Sequence, residues 1–139
     1  MYTFITTRLN NIQRMDAPEL LRNLMITLDE RRWSDLGQFL HPDFVCRYVH
    51  TGESFNRSEW IALNAEYPGF DHLVIHDLVG DAHAAACRSH VTAVGKTGLD
   101  HFECATFVET RDDLIEVMTE VWTDVAQTAP ARIRPEPVT

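Results

Sequence analysis

Between residues 70 and 125 the chain carries four long β-type runs separated by tight turn signals, and this stretch constrains the fold more than any other. The runs are 70–79, 83–94, 99–110 and 114–125; Gly80-Asp81, Gly95 to Gly98 and Arg111 to Asp113 interrupt them. Turns this short cannot carry a crossover helix, so consecutive runs must pair as antiparallel neighbours in one sheet.

Helical signals precede the sheet. Asp16-Ala-Pro-Glu19 offers a capping carboxylate, an early Pro and an acid three residues on. Leu20, Leu21, Leu24, Met25 and Leu28 then recur at helical spacing, which predicts an amphipathic helix over 17–32. Trp33, Leu36, Phe39 and Leu40, with Ser34 as cap, predict a short second helix over 34–40 that His41-Pro42 stops. Residues 44–50 read as a strand, Thr51-Gly52 as a turn and 53–55 as a brief return strand. Asn56-Arg-Ser-Glu59 repeats the cap signature and opens a third helix through Trp60, Ile61 and Leu63, ended by Pro68-Gly69. Residues 1–14 are expected to form an N-terminal arm, 15–126 the folded domain, and 127–139, with Pro130, Pro135 and Pro137, an extended or disordered tail.

The predicted class is therefore α+β: three N-terminal helices packed on one face of a strongly curved, mainly antiparallel sheet. A length of 139 residues with 45% hydrophobic content supports one core without disulfide staples. The net charge of −9 opposes binding to nucleic acid or to an anionic membrane. Three cysteines, Cys46, Cys87 and Cys104, with no CxxC pair, suit a reducing, cytoplasmic setting. The sheet face left without helices still carries many β-branched and aromatic residues, so a homodimer through that face is expected.

The element order and the ending Ile115-Glu-Val-Met-Thr-Glu120-Val-Trp122-Thr-Asp124 resemble the SnoaL-like branch of the nuclear transport factor 2-like superfamily over residues 16–125. That resemblance implies a cone-shaped roll, a scaffold shared by isomerases, dehydratases, cyclases, epoxide hydrolases and non-catalytic binders.

Register counted from the turns places four polar residues in one transverse row: Asp71, His90, Glu103 and Glu120. In a pocket, His90 would act as base, Asp71 would orient it, and Glu103 or Glu120, made to share a proton by mutual repulsion, would act as acid. Arg88, His101, Met118 and Trp122 share the expected face, and Tyr48 and Trp60 could wall the ligand. The bland alternative is a solvated face on which Arg88 pairs with Glu103 or Glu120 and the cluster satisfies itself. Limonene epoxide hydrolases are similar through Arg88-Ser-His90 and Glu120, with His90 standing where they carry Asp. Scytalone dehydratases are similar through His90, His101 and Tyr48. Ketosteroid isomerases carry a Tyr on the first helix, and residues 16–32 contain none.

The expected function is cofactor-independent dehydration, isomerisation or cyclisation of a small apolar or aromatic molecule. A ligand-binding or dimerisation module without a reaction is the alternative. No cofactor motif appears. A shared metal ion is not expected for His72 and His76, since four residues of strand span ~13 Å.

Overall fold

Asp16 caps the first helix as its sequence demands, its carboxylate accepting the Glu19 N–H at 3.0 Å. The computed structural model describes residues 15–126 and 130–136; the arm expected at 1–14 and residues 127–129 and 137–139 of the tail lie outside the described residues. Helix α1 (Ala17–Asp29) buries Leu20, Leu21, Leu24, Met25 and Leu28 along one stripe, each worth roughly 2 kcal/mol of burial. It stops three residues short of the predicted end because Arg31 turns into the left-handed region, at φ 57°. The end is tied down from both sides. Arg31 donates to the backbone carbonyls of Phe70 and Asp71, and the Asp29 carboxylate accepts the Leu73 N–H at 2.9 Å.

The second helical segment is a 3-10 helix, Trp33–Phe39, with no side-chain cap. Gly37 at its centre weakens an α-helix, and the Gly37 carbonyl is taken by Arg57 Nη2 at 2.7 Å. Strand β1 (Leu40–Tyr48) starts earlier than expected and runs through His41-Pro42. It can do so because the pairing register shifts between Leu40 and Val45, so Pro42 costs no ladder bond. Strand β2 (Glu53–Asn56) returns after a turn at Gly52. Helix α2 (Arg57–Glu66) begins with a full capping box: Asn56 Oδ1 accepts from Glu59 N at 2.9 Å, and Glu59 Oε1 accepts from Asn56 N at 2.8 Å.

Strands β3 (Phe70–Gly80), β4 (Ala84–Gly95), β5 (Gly98–Arg111) and β6 (Leu114–Asp124) follow. All six strands form one sheet in the order β2-β1-β6-β5-β4-β3. Every pairing is antiparallel except β1 with β6, which is parallel. The helices cover one face. Cys87 and Val91 of β4, Val108 of β5, and Ile115 and Met118 of β6 point toward them into the core. The α+β cone expected from the sequence is the observed fold.

Two turns set the register differently from the sequence reading. Gly80 pairs with Ala85, because the Asp81 carboxylate accepts the backbone N–H groups of both His83 and Ala84 and holds a longer loop. Together with a bulge between Ile75 and Asp77, this places His90 opposite Val74, not Asp71. The β5–β6 turn sits on Asp112 and Asp113, both left-handed, and a further shift follows between Glu109 and Thr110. Glu103 consequently faces Thr123, and Glu120 faces Thr106. An odd displacement moves every side chain to the other face, so Glu120 and Glu103 lie on opposite faces of the sheet. Only the His90–Glu103 pairing stands as expected.

Candidate active site

A cavity of about 400 Å³ opens between the inner sheet face and the two α-helices. Met25 and Leu28 of α1, Trp60, Leu63 and Asn64 of α2, and Phe70, Leu73, Val91 and Phe102 of the sheet wall it. Its polar groups are few. Glu120 is 4% exposed and accepts from four donors: Thr106 Oγ1 at 2.9 Å, Cys104 Sγ at 3.1 Å, Trp60 Nε1 at 3.4 Å and Cys46 Sγ at 3.8 Å. None of them is a cation. Burial pushes the Glu120 carboxyl above its ordinary range, and the bonds from Cys104, Thr106, Trp60 and Cys46 offset only part of that. Burial, then the neighbouring Glu120, also raises Cys46, Tyr48 and Cys104, so the thiols and the phenol stay neutral donors.

Tyr48 is the register partner of Glu120 on β1 and lines the cavity. Its ring stacks on His50 with centroids 5.1 Å apart and meets Phe55 edge-on at 5.0 Å. His50, Thr123 and Asp124 add polar groups to the lining. His50 Nδ1 accepts the Trp122 backbone N–H at 3.4 Å, which leaves the proton of a neutral ring on Nε2. Trp122 lines the cavity too, and its indole N–H is buried without a partner among the described residues.

This site keeps Glu120, Tyr48, Trp60 and Trp122 of the residues expected from sequence and loses the rest. Met118 is fully buried in the core and does not line the cavity. Asp71, Arg88, His90, His101 and Glu103 do not line it either; they lie on the outer sheet face. There His90 Nδ1 is 2.6 Å from Glu103 Oε2 and His90 Nε2 is 2.9 Å from His101 Nδ1. Arg88 bonds Glu103 Oε1 at 2.5 Å and Asp77 Oδ2 at 2.7 Å. Asp71 accepts from Thr92 Oγ1 at 2.8 Å instead of orienting His90. The row is therefore split by the register shifts, and its His90 half cannot reach a ligand in the cavity.

No protein-family model matches the chain, and no curated protein sequence matches it. Solved structures do. A candidate ketosteroid isomerase from Kribbella flavida DSM 17836 superposes with a TM-score of 0.73 at 25% identity, over 87% of this chain and 90% of that one. An NTF-2 like protein of unknown function from Burkholderia xenovorans LB400 gives 0.70 at 17% identity, over 82% and 87%. An LEH-like epoxide hydrolase from M. tuberculosis gives 0.65 at 15%, over 77% and 82%. The chain has the fold of the nuclear transport factor 2-like proteins.

No helix among the described residues is long and apolar enough to cross a membrane. One cluster has metal-ligand spacing, His41, Asp43 and Glu116. The Arg111 guanidinium already occupies it, 2.6 Å from Asp43 and 2.8 Å from Glu116, so its negative charge is answered internally. His50 and Asp124 were missed by sequence reasoning. His50 sits beside a turn with no motif around it, and only the parallel pairing of β1 with β6 brings it to the cavity.

Proposed function

We propose that this chain is a cofactor-independent acid-base enzyme, isomerase, dehydratase or cyclase in type, acting on a small apolar or aromatic molecule that carries one oxygen function. The observation behind it is Glu120, a carboxyl raised by burial, facing a cavity of about 400 Å³ with no cation beside it among the described residues. A carboxyl pushed toward the working pH both takes and returns a proton efficiently, and such groups contribute about 10²–10⁴-fold to rate. Glu120 would remove a proton from carbon and deliver it to a neighbouring position. Tyr48, a neutral O–H, would donate to the oxygen on which charge develops. Trp60 would fix the Glu120 rotamer through its indole N–H, and Trp122 would pack on the ligand.

The test is hydrogen-deuterium exchange at the α-carbons of 2-tetralone, a neutral aromatic ketone, followed by NMR in deuterated buffer. Exchange above buffer that falls about 100-fold or more in Glu120→Gln is expected. Exchange by the wild type no faster than buffer, or unchanged in Glu120→Gln, would overturn the reading. The four donors already engaging both Glu120 oxygens favour a second reading, a ligand-binding module without a reaction. It would show as tetralone binding with no exchange.

Two further parts of the reading concern setting. A second copy would cover the outer sheet face, where Val74, Val79, Val94, Leu99, Phe107 and Val121 are each at least 40% exposed. The three free, buried cysteines suit the reducing cytoplasm, and fractionating cells for the chain would show it elsewhere if that is wrong.

A further inference from the structure

Three histidines from three neighbouring strands meet on the outer sheet face, away from the cavity: His76 of β3, His90 of β4 and His101 of β5. The rings of His90 and His101 have centroids 5.2 Å apart, and that of His76 stands 6.4 Å from His90. Zinc-to-imidazole bonds of about 2.0–2.1 Å in tetrahedral geometry place two ligand nitrogens about 3.3 Å apart and their ring centroids about 5 Å apart. His90 and His101 already satisfy the second figure. Their facing nitrogens, at 2.9 Å, need to separate by only about 0.4 Å to meet the first.

The other nitrogen of His90 is held from behind. Glu103 Oε2, 2.6 Å away, takes the Nδ1–H of His90 and leaves the Nε2 lone pair toward His101. A metal-binding histidine characteristically donates its remaining N–H to a carboxylate in this way. Among the described residues nearby, Asp71, Asp77 and Glu103 stand against Arg88 and the Arg31 guanidinium at the Asp71 carbonyl, an excess of one negative charge that favours a cation. We propose that His90, His101 and His76 bind a divalent transition-metal ion of the zinc class, with Glu103 holding His90 from behind. On binding, the His90 lone pair turns from the His101 N–H to the metal. The His101 proton moves through solvent from Nδ1 to Nε2, freeing Nδ1 to ligate. The exposed His76 side chain rotates to supply the third nitrogen, and water completes the coordination.

The test is titration of tag-free protein with zinc chloride by calorimetry at neutral pH. One ion per chain is expected, with micromolar or tighter affinity that weakens at least tenfold in His90→Ala, His101→Ala and His76→Ala. Glu103→Gln should weaken it about tenfold or more, while His41→Ala leaves it unchanged. Zinc should also raise the Tm of the wild type and not that of His101→Ala, whose metal-free Tm shows that the variant is folded. No saturable binding up to about 1 mM zinc, or affinity unchanged in both His90→Ala and His101→Ala, would overturn the proposal. Affinity unchanged in His76→Ala alone would remove the third ligand from it.

Discussion

A carboxyl as deeply buried as Glu120 carries a pH signature that follows from the direction of its shift. Its folded pKa lies above the unfolded value, because burial disfavours the charged form. Between the two values the folded state holds the extra proton, so stability falls as pH rises through that window. The stabilising contribution is complete below the unfolded pKa, near 4.3, and is lost as pH rises through the folded one. Within the window the slope approaches about 1.4 kcal/mol per pH unit. Denaturant unfolding from pH 4 upward should show this decline in the wild type and a flatter curve in Glu120→Gln. Parallel curves would mean that Glu120 titrates alike in both states. Tyr48, Trp60, Glu120 and Trp122 were candidates from the sequence and all four line the cavity, although Glu120 and Trp122 were reached through a strand register that the structure shifts. His90 was legible as the partner of Glu103, but not as a residue of the outer face.

The elements themselves were largely written in the sequence, because their signals are local. The cap at Asp16, the capping box at Asn56 and the alternation in β4 and β5 each act within a few residues. Gly69 is a local signal with a tertiary reason: it sits at φ 78°, and a Cβ there would come within 2.5 Å of the Val94 carbonyl oxygen, where β4 passes the end of α2. Register was not legible to the same degree. The turn at Asp112-Asp113 moves the pairing by two residues and the bulge near Glu109 adds one, and this odd total reverses the face of Glu120 relative to Glu103. Nothing around Thr110 marks a bulge in the sequence. The parallel contact of β1 with β6, which brings Tyr48 beside Glu120, joins residues about seventy positions apart and is a property of the closed sheet alone.

At the scale of the whole molecule, the two sheet faces divide the chemistry, with a raised carboxyl in an apolar cavity inside and a histidine-carboxylate patch outside. The outer face also bears exposed Phe107 and Val121, so light scattering at micromolar concentration is expected to give twice the chain mass. A monomer, with or without zinc, would contradict the pairing. The central claim is that the cavity holds a carboxyl poised to move a proton, and the most direct measurement is NMR titration of the Glu120 carboxyl carbon in the folded protein. The expected result is a midpoint clearly above the ordinary glutamate value of about 4.3, displaced when 2-tetralone fills the cavity. A midpoint at or below that value, unmoved by the ketone, would show a carboxylate held ionised by its four donors and would contradict the acid-base role.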